Sequence, residues 1–162
     1  MGVRQIAGGD WELIHPRCAR QRKEDMEEVR LMIEAGEWDV ARDELVWLLS
    51  ECRDFIDAHK VLGDVALAGR DLPLARGHYG FAFRLGQAAI EESAGRATRL
   101  PYRLPANRSF LEAGERLVHC LELLGKPPMA RDVARQILQL DPTDPLGLEA
   151  RLPRLEADPP SS

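Results

Sequence analysis

Apolar and polar positions alternate at helical spacing along most of the chain. Met26, Val29, Met32 and Ile33 form one apolar stripe through the charged stretch from Arg20 to Ala35, and Gly36 stands where such a helix would stop. A second stripe, Val40, Ala41, Leu45, Leu48 and Leu49, runs through Trp38 to Cys52. Asp54 is placed to cap a third helix carrying Phe55, Ala58, Leu62, Val65 and Ala66, which ends near Gly69. A fourth runs from Leu72 past Phe83 towards Ser93. The following stretch, TRLPYRLPANRS, has two prolines and no helical pattern, which predicts an exposed, mobile loop over 94–109. Ser109 reads as the cap of a fifth helix, Phe110 to Leu124, closed by Gly125-Lys126-Pro127-Pro128, and a sixth spans Met129 to Leu140. Asp144-Pro145 would open a short capping helix that Pro153 breaks, and the tail ADPPSS reads as disordered. No strand pattern stands out, so the chain predicts an all-α fold built of helical hairpins.

The hairpins repeat. Ala41-x3-Leu45 superposes on Ala75-x3-Tyr79 at an interval of 34 residues, and Ala130-x3-Ala134 takes the same place in a third pair after a longer interval. Turn residues recur too, in Gly36-Glu37-Trp38, Gly69-Arg70-Asp71-Leu72 and Gly125-Lys126-Pro127. Together with His59-x2-Leu62-Gly63-x2-Ala66, Ala82 and the ending Leu138-x-Leu140-Asp141-Pro142, this resembles the tetratricopeptide repeat family over roughly 24–144. The pattern departs from the family's at His59, which stands in place of Trp, and in an insertion at about 90–110. The resemblance implies a short right-handed superhelical solenoid of about three antiparallel helix pairs over 20–144. An N-terminal arm or cap (1–19) and a short C-terminal capping segment (145–162) would flank it. Gly63 should lie at the close crossing of the middle pair, facing Ala75 and Ala82.

Composition narrows the function. The chain has 162 residues, 44% of them hydrophobic and 30% charged, and a net charge of -5, the balance of an ordinary folded domain and not of a nucleic-acid coat. No apolar run approaches a membrane span, and the start MGVRQIAGGDW lacks a signal-peptide core, which points to the cytoplasm. Three scattered cysteines, Cys18, Cys52 and Cys120, suggest free thiols in a reducing compartment, with Cys52 and Cys120 beside apolar stripes. His15, Cys18, Cys52, His119 and Cys120 offer zinc-type ligands, but nothing brings four together, so no metal or other cofactor is expected. Motifs for phosphate binding, nucleophilic hydrolysis and metalloproteolysis are missing, so the chain does not read as an enzyme.

Two arginine clusters remain, Arg17, Arg20, Arg22 and Lys23, and Arg96, Arg99, Arg103 and Arg108 around Tyr102. They suit an anion or nucleic acid, but a solvated or paired surface is the plainer reading. Asn107-Arg108-Ser109 matches a glycosylation sequon that carries no weight without a secretory signal. Trp11, Leu13 and Ile14 read as a cap folded back over the first hairpin, in preference to a partner-binding arm. The family resemblance implies a non-enzymatic module that holds a peptide or partner helix in a concave groove lined by the first helix of each pair. Carried over slot by slot, that groove would present Lys23, Glu27, Arg30 and Glu34, then Asp57, Lys60 and Asp64, then Glu112, Glu115, Arg116, His119 and Glu122. The family's clamp for a terminal carboxylate is not implied, because Asp64 stands where an Asn is needed.

Overall fold

The computed structural model describes residues 1–157. Three turns of one chemistry set its architecture. They join α2 (Lys23–Glu34) to α3 (Trp38–Glu51), α4 (Ile56–Ala68) to α5 (Leu72–Glu92), and α6 (Pro105–Leu123) to α7 (Pro127–Leu140). Each turn has one residue in the left-handed region: Gly36 at φ 77°, Arg70 at 60° and Gly125 at 72°. The next amide then donates back into the helix, Glu37 to the Met32 carbonyl, Asp71 to Ala66 and Lys126 to Leu121, at 2.8, 3.0 and 2.8 Å. These are Schellman closures, which satisfy the last carbonyls of the helix and send the chain back antiparallel. Gly69, suggested by the sequence as the middle turn residue, has φ -79°, and Arg70 takes the left-handed position instead. Asp71 then caps α5, its carboxylate accepting from the Leu74 amide at 3.1 Å.

Proline explains where helix starts differ from those expected. α6 begins at Pro105 and not at Phe110, so Ser109 lies inside it, and α7 begins at Pro127, two residues before Met129. Both prolines occupy the first helical turn, where the missing N–H has no intrahelical partner to lose. Asp54 likewise does not cap α4, whose N-cap is Phe55. The first predicted helix is interrupted at residues 21–22, leaving a short α1 (Arg17–Arg20) before α2.

Two buried clusters make the core, and α4 joins them. Met26, Val29, Leu45 and Leu48 of the first pair pack with Ala58, Val61 and Leu62. Ile56 and Ala66 face the larger cluster of α5, α6 and α7, which includes Tyr79, Phe83, Phe110 and Leu111. Small residues permit these approaches. A Cβ on Gly63 would sit 2.5 Å from Tyr79, and Ala75 and Ala82 are fully buried. Gly114 fits against Phe83 and Ile137 in the same way. Tyr79 cannot swing aside freely, since its hydroxyl donates to Asp64 at 2.6 Å. Gly63→Ala is therefore expected to cost about 1–3 kcal/mol, read as a lowered midpoint in urea unfolding. An unchanged midpoint would mean that the α4–α5 crossing is looser than described.

The N-terminal segment corrects the reading of 1–19 as strand-free. Strands β1 (Gly2–Gln5) and β2 (Trp11–Ile14) pair antiparallel, with Val3 opposite Leu13, around a turn in which Gly8 and Gly9 have φ 89° and 87°. Four-residue strands are too short to display a period, although a Gly-Gly between them is a hairpin signal. The fold is thus mostly helical with one small hairpin.

The expected mobile loop is also corrected. Ala97 and Leu100 are buried, the Trp11 amide donates to Arg99 O at 2.8 Å, and the Leu100 amide donates to Leu140 O at 3.0 Å. Residues 95–104 are a packed strap between β2 and the end of α7. Asn107 fixes it: fully buried, it accepts from the Leu13 amide (3.0 Å) and donates to Trp11 O and Pro101 O (3.0 and 3.1 Å). A further correction concerns the thiols. Cys18 and Cys52 form a disulfide tying α1 to the end of α3, and Cys120 alone is free, and buried. At the other end, Asp144 accepts from the Leu148 and Glu149 amides, and a 3-10 turn (Glu149–Arg151) leads into α8 (Leu152–Glu156). Pro153 sits in the first turn of α8 and does not break it. The tail predicted as disordered lies, from residue 158, outside the described residues.

Candidate functional site

The faces of α2, α4 and α6 that lie beside one another enclose a cleft of about 580 Å³. Six of the residues assigned to the groove by sequence meet there: Arg30, Glu34, Asp57, Lys60, Asp64 and Glu112. Their charges are largely paired across helices. Arg30 reaches Asp57 at 2.6 Å, and Ser109 donates to the other oxygen of Asp57 at 3.2 Å. Lys60 lies between Asp64 at 2.9 Å and Glu112 at 3.5 Å. Tyr79 and Tyr102 donate to those two carboxylates at 2.6 and 2.7 Å. Burial opposes the charge on Lys60, but Asp64 and Glu112 override it and hold its pKa above the ordinary value. Burial and the hydrogen bond to Asp64 push the Tyr79 phenol up, and the hydrogen bond to Glu112 with partial burial does the same for Tyr102. These hydroxyls stay protonated and act as donors that orient the acids.

A second cleft, of about 480 Å³, adjoins the first. One wall is the N-terminal hairpin, with Leu13, Ile14 and His15, whose imidazole Nε2 lies 2.7 Å from Ala106 O; the other carries Arg20 and Lys23. Asp57, Pro105 and Ser109 line both clefts, so the two form one groove. Lys23 joins the candidate groove at this end. Trp38, which no groove assignment included, lines the far end and is 40% exposed. Its position just after the Gly36 turn was the only sequence signal available. The contribution of Leu13, Ile14 and His15 was hidden because the hairpin itself was not foreseen.

The remaining assigned residues do not meet there. Glu27 lines neither cleft. Glu115 is buried, with Arg116 and Arg151 both paired to it, and Arg154 pairs with Glu122, so the C-terminal segment covers this part of α6. His119 lies one turn beyond Glu115 on the same helix and also lines neither cleft. Nor do the four loop arginines converge. Arg96 donates to Ser93 O, Arg99 to Gln139 O, Arg103 pairs with Asp10, and Arg108 donates to Tyr102 O and Arg103 O while stacking 5.5 Å from the Tyr102 ring. They bind the strap to its surroundings. Of the first cluster, Arg22 stacks 5.1 Å from the exposed Trp47 ring. The disulfide removes Cys18 and Cys52 from any ligand set.

Titration of buried groups sets a pH window for the scaffold. Burial lowers the pKa of His59 and of His78 below 6.5. Both are neutral in the folded chain, so the unfolded chain takes up protons first as pH falls through 6.5. Burial would raise the Glu115 carboxyl, but the Arg116 and Arg151 guanidiniums win and hold it down. Asp141 is likewise held down, against burial, by donors from Thr143 and Tyr102. Their stabilisation is present above the ordinary carboxylate range and is lost as pH falls through the folded values. Thermal melts should show Tm falling in two stages, one starting below pH 6.5 and one below pH 4. His59→Gln with His78→Gln should flatten the first stage only. A first stage unchanged by that variant would remove the histidines as its cause.

No protein-family model matches the chain, and no curated protein sequence matches it at a significant level.

Proposed function

We propose that this chain is a non-enzymatic docking module, a short solenoid of three helix pairs resembling tetratricopeptide repeats, which holds a segment of another protein along α2, α4 and α6. The observation that carries the reading is the union of two clefts through Asp57, Pro105 and Ser109 into one groove across the first helix of every pair. The recurring turn at Gly36, Arg70 and Gly125 supports the repeat reading, because one closure sets three helix pairs in register. The groove is open and fringed by paired charge, which suits an extended or helical segment better than a small enclosed substrate. No helix among the described residues is long and apolar enough to cross a membrane. The Cys18–Cys52 bond favours an oxidising compartment over the cytoplasm expected from the sequence.

Selection from a random displayed-peptide library tests the reading, using the intact chain and a Ser109→Arg variant whose long side chain obstructs the shared floor. Peptides enriched on the native chain should lose binding on the variant. Peptides retained equally on both would place docking elsewhere.

A further inference from the structure

The two ends of the groove differ in charge. At the α1 end, Arg20 and Lys23 are exposed, and neither has an acidic partner among the described residues. At the other end Glu34 is exposed without a cationic partner, and Asp64 and Glu112 share the single ammonium of Lys60. Trp38 stands beside Glu34 in that lining, and its exposed indole offers a face over which a cation is attracted. Between the ends, Asp57 is already neutralised by Arg30. Arg108 also lines this cleft without an acidic partner, but its guanidinium is held back by the Tyr102 and Arg103 carbonyls and lies over the Tyr102 ring. Arg108 apart, the free cations and the free carboxylate lie on opposite sides of a middle whose charges are paired.

We infer that the groove takes a partner segment of mixed charge, with acidic side chains at Arg20 and Lys23 and a lysine or arginine at Glu34 and Trp38. The inference rests on the groove being the docking surface and adds the chemistry of its occupant. A wholly acidic segment would bring carboxylates against Glu34. A wholly basic one would bring cations against Arg20 and Lys23. Like charges so placed discriminate as strongly as the matched pairs attract.

Three synthetic twelve-residue peptides with blocked ends and a shared apolar centre test this. One has aspartates at one end and arginines at the other, one has aspartates at both ends, and one has arginines at both. Calorimetry gives the affinities, and Trp38→Phe shows whether any tryptophan emission change comes from this groove. The native chain should bind the mixed peptide about fivefold more tightly than either single-sign peptide. Glu34→Lys should switch the preference to the acidic peptide, and Arg20→Glu with Lys23→Glu should switch it to the basic one. A purely structural role for these exposed side chains would not reverse a preference. Equal or tighter binding of a single-sign peptide by the native chain, or variants that keep its order of preference, would overturn the inference and leave the groove reading standing. No binding of any peptide, with Trp38 emission unmoved, would sink both.

Discussion

Asn107→Ala is expected to destabilise the fold by about 3–5 kcal/mol, a loss large enough to unfold a domain of ordinary stability at modest temperature. The side chain is fully buried and serves three backbone groups: the Leu13 amide, Trp11 O and Pro101 O, of which the last also accepts from the Leu104 amide at 3.2 Å. Alanine leaves all three unmade, and a cavity with them. The consequence is local before it is global. Those bonds attach β2 and the strap to α6, so the hairpin that walls one end of the groove should detach first. Urea unfolding gives the energy, and a red shift of Trp11 emission below the main transition would report the detachment. A cost under about 1 kcal/mol would mean that the hairpin is held by its apolar contacts alone. The same burial makes Asn107 unavailable to glycosylation, because both atoms of its amide are already engaged inside the molecule.

Breaking the Cys18–Cys52 bridge by Cys18→Ser with Cys52→Ser should cost about 3–4 kcal/mol, the amount expected for closing a loop of this length in the unfolded chain. The effect should be confined to the first pair and α1, since Ala19, Met26 and Phe55 pack around the bridge while the larger core stands apart. Thiol titration of the native chain should find one free cysteine, and only after unfolding, because Cys120 is buried. Three reactive thiols would contradict the bridge.

What could be read from the sequence was what a helical period encodes. Stripes such as Leu45, Leu48 and Leu49 located the helices, and the 34-residue interval between Ala41 and Ala75 located the pairs. Of the slots that the family resemblance implied, Arg30, Glu34, Asp57, Lys60, Asp64 and Glu112 line one cleft. What escaped was the part of the fold decided by contacts far apart in the chain. Pro101 and Pro105 read as breakers of a loop, yet Pro105 starts a helix and the Pro101 carbonyl receives Asn107. An asparagine in a polar stretch gives no sign that, from α6, it will bond both β2 and the strap. Cys18 and Cys52 are unremarkable in sequence and meet only because α1 folds across the end of α3. Glu115 belonged to a groove slot by counting, but Arg151, 36 residues on, arrives to cover it.

The groove itself is open to direct measurement. Amide chemical-shift mapping of the isotopically labelled chain, titrated with a peptide selected on it, reports every backbone position at once. Binding along α2, α4 and α6 predicts the largest shifts at Lys23 to Glu34, Asp57 to Asp64 and Ala106 to Glu112, with the Trp38 indole among them. Largest shifts instead between α5 and α7, where Arg76, Phe81 and Met129 line a separate cleft of about 650 Å³, would contradict the account.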